Sequence, residues 1–228
     1  MNSTSKKKNS FFNIGALAIY FLCISTLANA QKEFAYLDTS INRTKIKFIK
    51  TFNYSNKENT ISSLYTYIRF YALSLGANSF SFTNFLKNDS LKDCTLILDT
   101  YYSYDSILSK NNEALEKNTI YFLSDNLSGN KTYKFSINNK KKKIKDGYFI
   151  KYKINEGETI KFSRNGMSIS LSSQQNSSAQ FYTFKKGKIV NGPQSYGSVS
   201  LYVDSGGFLK IDKSLGFLLI NILKECYE

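Results

Sequence analysis

The chain has 228 residues, no histidine, no tryptophan and one proline, and its 31 Lys and Arg outnumber 17 Asp and Glu to give a formal net charge of +14. Without histidine there is no Ser-His-Asp or Cys-His machinery, no His-ligated zinc and no imidazole general base. The cysteines form no C-x-x-C, no phosphate-binding or dinucleotide glycine pattern appears, and no cofactor is expected.

Lys6, Lys7 and Lys8 precede a mostly apolar run from Phe11 to Leu27, and Ala28-Asn29-Ala30 follows. A basic start, an apolar middle and an A-x-A site read as a secretory signal over residues 1–30, cleaved before Gln31. An uncleaved anchor is the alternative. A lipoprotein signal at Cys23 is disfavoured, because Phe21-Leu22 lacks the small residue such a signal needs. The chain is therefore expected to be exported, to periplasm, outer-membrane surface or medium, with no transmembrane segment after cleavage. The Lys-, Asn-, Ser- and Ile-rich, Pro-poor composition suits a bacterium with an AT-rich genome.

Thr44–Phe52 reads as a first strand, with Ile46, Phe48 and Phe52 on one face. Ser55 and Glu58 then stand at capping-box spacing. Ile61, Leu64, Ile68, Ala72 and Leu75 recur on one helical face, and Gly76 stands where a left-handed residue ends a helix. Phe80 and Phe82 alternate with Ser79, Ser81 and Thr83 as a half-buried strand does. Cys94–Tyr101 is apolar on both faces and reads as an interior strand, and Tyr104–Lys117 as a short helical connection. The order β-α-β-β predicts a small α/β domain over residues 31–117.

From Asn118 the texture changes to short alternating strands joined by Gly, Asn and Lys turns. They include Thr119–Leu123, the sets Tyr133/Phe135/Ile137 and Tyr148/Ile150/Tyr152/Ile154, then Ile160/Phe162, Met167/Ile169/Leu171, Phe181–Phe184 and Val199/Leu201/Val203. This spacing predicts an antiparallel β-sandwich-like domain over residues 118–228. Leu215, Leu218, Leu219, Ile222, Leu223 and Cys226 form an apolar stripe behind Asp212, a plausible N-cap. That C-terminal helix is expected to pack on the sheet; a membrane-surface or partner helix is the other reading. The fold class is thus α+β. A small outer-membrane barrel would suit the alternation, but two good helices and charged strands oppose it.

The phrase ALSLGANSF, Ala72–Phe80, resembles the helix–strand joint of small α/β domains in bacterial envelope proteins, some of them heavy-metal-associated; no metal ligands stand nearby. The segment NKKKKIKDGYFIKYKINEGETIKF, Asn139–Phe162, resembles the repeated hairpin of small β-sandwich modules of bacterial envelope proteins. Glu156 stands where those modules commonly carry a proline before the turn glycine. The resemblance implies an accessory or adhesion-like module rather than a catalytic one.

Lys140, Lys141, Lys142, Lys143 and Lys145 form a basic run that Lys151, Lys153 and Lys161 continue. Alternation puts Lys151 and Lys153 on an exposed face that could hold a polyanion. Export disfavours intracellular nucleic acid and leaves an envelope protein, an anionic glycan or lipid surface, or extracellular DNA as partners. The plain alternative is a solvated hairpin whose lysines protect edge strands from aggregation. Cys94 and Cys226, left after signal cleavage, could bridge in an oxidising compartment or stay buried as thiols. Carboxylate catalysis is the rival function; Glu156, Glu158 and Asp99 are its candidates, although turn acids at Glu156 and Glu158 are ordinarily solvated. The expectation is an exported, non-catalytic interaction module.

Overall fold

A computed structural model of the chain describes residues 33–57, 60–88, 93–127, 129–184, 188–191, 201–204 and 206–226. The signal read over residues 1–30 and the capping residue Glu58 lie outside them. The fold is α+β, with mixed and antiparallel sheets and a C-terminal helix.

The first sheet is built from β1 (Ala35–Tyr36), β2 (Lys47–Asn56), β3 (Ser79–Asn88) and β4 (Asp93–Tyr102), in the order β1-β3-β4-β2. The β1–β3 pair is parallel and the others antiparallel. β4 sits inside the sheet, and Cys94, Leu96, Leu98 and Thr100 alternate as its buried face. β2 carries a bulge between Phe48 and Lys50. A bulge re-aims the residues beyond it, so Phe48 does not share a face with Phe52. Phe48 lies edge-on to Tyr101, whereas Ile49, Phe52 and Tyr54 pack toward the main core.

Helix α1 (Ile61–Ser74) crosses this sheet on Ile61, Leu64, Tyr65, Ile68 and Ala72. Its start differs from the expected cap. Ser55 is still in β2, where its hydroxyl meets that of Thr95 at 2.6 Å, and Thr60 is the N-cap. Strand pairing with β4 extends β2 past the point where local spacing suggested a helix. The stop is as read: Gly76 has φ +85°. Its N–H donates to Leu73 O, and that of Ala77 to Ala72 O, both at 3.0 Å. Those two bonds satisfy carbonyls that the helix end would leave open. On the sheet's other face, α2 (Asp105–Ala114) brings Ile107 and Leu108 against Leu37, Ile46 and Tyr101.

Residues Thr119–Leu123, strand β5, are buried at every position, which a strand can be only when its sheet is covered on both faces. β5 is the centre of a five-stranded mixed sheet with β8 (Tyr148–Lys153), β11 (Gln180–Phe184), β14 (Phe208–Lys210) and β15 (Lys224–Glu225), ordered β14-β11-β5-β8-β15. Ile120, Phe122, Ile150, Tyr182 and Phe208 point to one side and Tyr121, Leu123, Phe149 and Phe181 to the other. The second side joins α1, the first sheet and helix α3 (Lys213–Ile222) in one core, so residues on both sides of Lys117 share it. The chain from Phe34 onward forms one compact unit.

Asp212 caps α3 by accepting from Leu215 N–H at 3.0 Å. The helix then packs so closely that a Cβ on Gly216 would fall 2.1 Å from the Phe181 ring. It ends at Ile222, earlier than the apolar stripe suggested. Lys224 and Glu225 then pair in parallel with Tyr148 and Phe149, and the Cys226 N–H donates to Phe149 O. This exit carries Cys226 to the far side of the five-stranded sheet. It packs against the second core while Cys94 is buried in the first. The bridge between them is not made.

Covering the far side is a four-stranded antiparallel sheet of β6 (Thr132–Ile137), β7 (Lys140–Lys145), β9 (Thr159–Arg164) and β10 (Met167–Ser172), ordered β10-β9-β6-β7. Both hairpins close on two-residue loops with positive φ, Asn138-Asn139 at 47° and 63° and Asn165-Gly166 at 48° and 83°. That is the twist that two-residue hairpins favour. A further pair, β12 (Lys188–Asn191) and β13 (Leu201–Asp204), forms a separate antiparallel ribbon. Among the described residues no sheet closes on itself as a barrel. None of their helices is long and apolar enough to cross a membrane.

Candidate polyanion-binding face

In the four-stranded sheet, Tyr133, Phe135, Ile137, Ile144, Ile160 and Phe162 are buried against the second core. Strand side chains alternate, so the intervening residues make the outer face. On β6 these are Thr132, Lys134 and Ser136; on β7, Lys141, Lys143 and Lys145. On β9 they are Thr159, Lys161 and Ser163, and on β10, Ser168, Ser170 and Ser172. All are lysine, serine or threonine. All five lysines are exposed, while Ser136 and Ser163 are half-buried.

The pairing fixes how these groups meet. Lys134 is directly opposite Lys143, Thr132 opposite Lys145, and Ser136 opposite Lys141. Ser136 also faces Ser163, which faces Ser168, so one row crosses the sheet as Lys141-Ser136-Ser163-Ser168. The Ser136 and Ser163 hydroxyls are 2.7 Å apart. Lys161 faces Ser170 in the next row. The two hairpins share only the Ser136/Ser163 and Ile137/Phe162 pairs. Arg164 holds its guanidinium 5.3 Å from both the Tyr133 and Phe184 rings and donates to Gly207 O at 3.1 Å. A shallow groove of about 790 Å³ runs over this face, lined by Lys134, Lys141, Lys143, Lys161, Ser136 and Ser163 among others.

The lysines expected to act together do not all share this face. Lys140 and Lys142 have the parity of buried Ile144; Lys140 is exposed beside the turn, and Lys142 is half-buried but still lines the groove. Lys151 and Lys153 belong to β8 in the other sheet, and their parity is that of Phe149. The 145–148 corner therefore moves the chain from one sheet to the other and separates the two lysine sets. Lys151 pairs with Glu116, Nζ to Oε1 2.7 Å, and lies 5.9 Å from the Tyr121 ring centroid. The Tyr121 hydroxyl donates to Glu116 Oε2 and that of Thr119 to Oε1. Burial raises the Glu116 carboxyl, but Lys151, Tyr121 and Thr119 outweigh it and hold it below the ordinary glutamate range. Burial, and then Glu116, push the Tyr121 hydroxyl well above the ordinary tyrosine range.

Lys134 was not singled out in the sequence. Its signal was there, since the Tyr133/Phe135/Ile137 alternation sets it opposite the core.

The corner itself is held by Asp146, which is nearly buried. Ser124 Oγ donates to its Oδ1 at 2.8 Å, and Lys131 N–H and Asn126 Nδ2 donate to its Oδ2 at 3.0 and 3.2 Å. The candidate catalytic acids do not gather at one place. Asp99 is mid-strand in β4 and accepts from the Thr51 hydroxyl at 2.6 Å. Glu156 is exposed in the turn after β8, where Glu158 accepts from Asn155 N–H at 2.9 Å.

Comparison with protein-family models, curated proteins and solved structures finds no match to this chain.

Proposed function

We propose that this chain is an exported, non-catalytic binding protein of the bacterial envelope, and that its working surface is the outer face of the β6/β7/β9/β10 sheet, which takes a polyanion. Export rests on the basic, apolar and A-x-A order of residues 6–30. The observation that carries the binding reading is where two lysines stand. Edge strands commonly carry lysine to prevent aggregation, and that accounts for β7. It accounts less well for Lys161, which stands inside the order β10-β9-β6-β7 with Ser170 on one side and Asn138 on the other, and for Lys134, which is on β6 although beyond its two pairs with β9. A lysine placed directly opposite another, as Lys134 is to Lys143, also works against the sheet. An anionic ligand removes that repulsion and gains from the lysines on both sides.

The test is binding of the purified protein to inorganic polyphosphate and to polygalacturonate across a salt series. Replacing Lys141, Lys143 and Lys161 by serine should weaken binding and flatten its salt dependence by about one unit of log–log slope per lost contact. The set Lys110→Ser, Lys140→Ser and Lys153→Ser, which removes the same charge from exposed positions off the face, should change little. Equal losses from both sets would mean that only net charge matters and that no defined face exists.

A further inference from the structure

Building on that polyanion reading, we infer that the preferred ligand is an acidic glycan, a saccharide chain bearing carboxylate or sulfate, rather than a nucleic acid or a bare phosphate chain. Sequence-tolerant binding of single-stranded nucleic acid draws about 1–3 kcal/mol per base from stacking on aromatic rings. None of the outward residues of this face is aromatic, and Phe135, which lines part of the groove, is only 5% exposed. Tyr133, Phe135 and Phe162 are the aromatic residues of β6 and β9, and all three are buried on the opposite side.

The hydroxyls carry the positive argument. A lysine ammonium only donates, whereas a serine hydroxyl donates once and accepts through two lone pairs. A phosphate chain is rich in acceptors and poor in donors, so the accepting lone pairs that Ser136, Ser163 and Ser168 keep beyond the Ser136–Ser163 bond would go unused. A saccharide hydroxyl both donates and accepts and can use both kinds. The three serines stand side by side on successive strands, and strands lie about 4.7–4.9 Å apart. The row therefore spans roughly 10 Å, the scale of a disaccharide.

Charge flanks this row. Lys141 ends it, Lys134 and Lys143 lie on one side of it and Lys161 on the other. Acid groups on successive sugars would meet ammoniums while their ring hydroxyls meet serines.

The deciding experiment is a competition at fixed salt between polygalacturonate, inorganic polyphosphate and single-stranded DNA, matched in charge, with dextran as the uncharged control. Polygalacturonate should bind the full-length protein most tightly. Combined Ser136→Ala, Ser163→Ala and Ser168→Ala should weaken it about tenfold or more, since several hydroxyl bonds are lost. Polyphosphate affinity should fall less, because phosphate takes only the hydroxyl protons. Should that variant fold poorly, Ser168→Ala with Ser170→Ala, both on the exposed face of β10, gives a smaller loss of the same selectivity. Polyphosphate or DNA binding as tightly as polygalacturonate, or serine variants that bind it normally, would overturn the glycan inference and leave the polyanion face standing. Failure of all three polyanions to bind would remove the polyanion reading itself.

Discussion

The two sheets that enclose the second core meet different surroundings. The five-stranded sheet is covered on both faces, by the first core and the second. The four-stranded sheet is covered on one. In the first, β5 reads TIYFL and is buried throughout. In the second, β6 reads TYKFSI, with only Tyr133, Phe135 and Ile137 buried. A strand buried on both faces has no position left for recognition, so its sequence reports packing alone. A strand with one solvated face has alternate positions on which selection can act, and in this sheet those positions became lysine and hydroxyl. The difference leaves the outer sheet open to the proposed binding and gives the central one to stability.

The strongest challenge to that division is Phe122→Ala. Phe122 is fully buried, with ring centroids 4.9 Å from Phe135 and 5.1 Å from Phe162. Its truncation should cost about 3–5 kcal/mol, seen as a lower urea midpoint with little change in slope. Ser168→Ala on the outer face should stay within about 0.5 kcal/mol. Similar losses from the two would mean that both sheets bear load equally.

Next in size is the corner where the chain passes between the sheets. Asp146→Ala removes the acceptor of the buried Ser124 hydroxyl and one acceptor each of Asn126 Nδ2 and the Lys131 N–H. A stranded buried donor costs about 1–3 kcal/mol, so the urea midpoint should fall. A variant of undiminished stability would show that solvent can replace the carboxylate and that this corner does not fix the spacing of the sheets.

Much of this arrangement was legible in advance, and the reasons for the rest are physical. Alternation identified the inward faces of β6 and β9, because a one-sided sheet writes its burial into every second residue. Gly76 and Asp212 were legible because helix ends have local chemistry. Ser55 misled because capping spacing is also local, whereas the pairing of β2 with β4 joins residues some forty positions apart. The lysines misled for a related reason. Lys140–Lys153 is continuous in sequence, but the turn after Lys145 sends β7 and β8 into different sheets, and no local pattern marks that change. Lys134 and Lys161 join the face through pairing of the two hairpins, a long-range contact. Cys226 changed sides because a backbone pairing at the edge of β8 ended the helix before its apolar stripe did.

Glu116 gives a smaller, pH-dependent contrast on the side of the central sheet facing the first core. Its folded carboxyl lies below the ordinary range, near 4.3, so it contributes stability above that pH. The contribution fades as pH falls through the lower folded value. Urea midpoints of the native protein and Glu116→Gln should therefore differ at neutral pH and converge in acid. For a half-exposed pair the difference should be under about 1 kcal/mol. A gap that persists below the folded pKa would assign it to packing instead of charge.

The smallest stability effect is the most informative, because its sign should oppose the binding result. Lys134→Thr removes one member of the directly opposed Lys134/Lys143 pair and supplies a β-branched residue suited to an interior strand. Relief of like-charge repulsion should stabilise the protein by about 0.2–0.5 kcal/mol, within reach of careful urea titrations. The same change should weaken polygalacturonate binding and reduce its salt dependence. A residue kept only for solubility would show the first effect without the second, and one kept for folding would show a loss of stability. Greater stability with poorer binding is the pattern expected of a surface selected against its own repulsion to hold an anion.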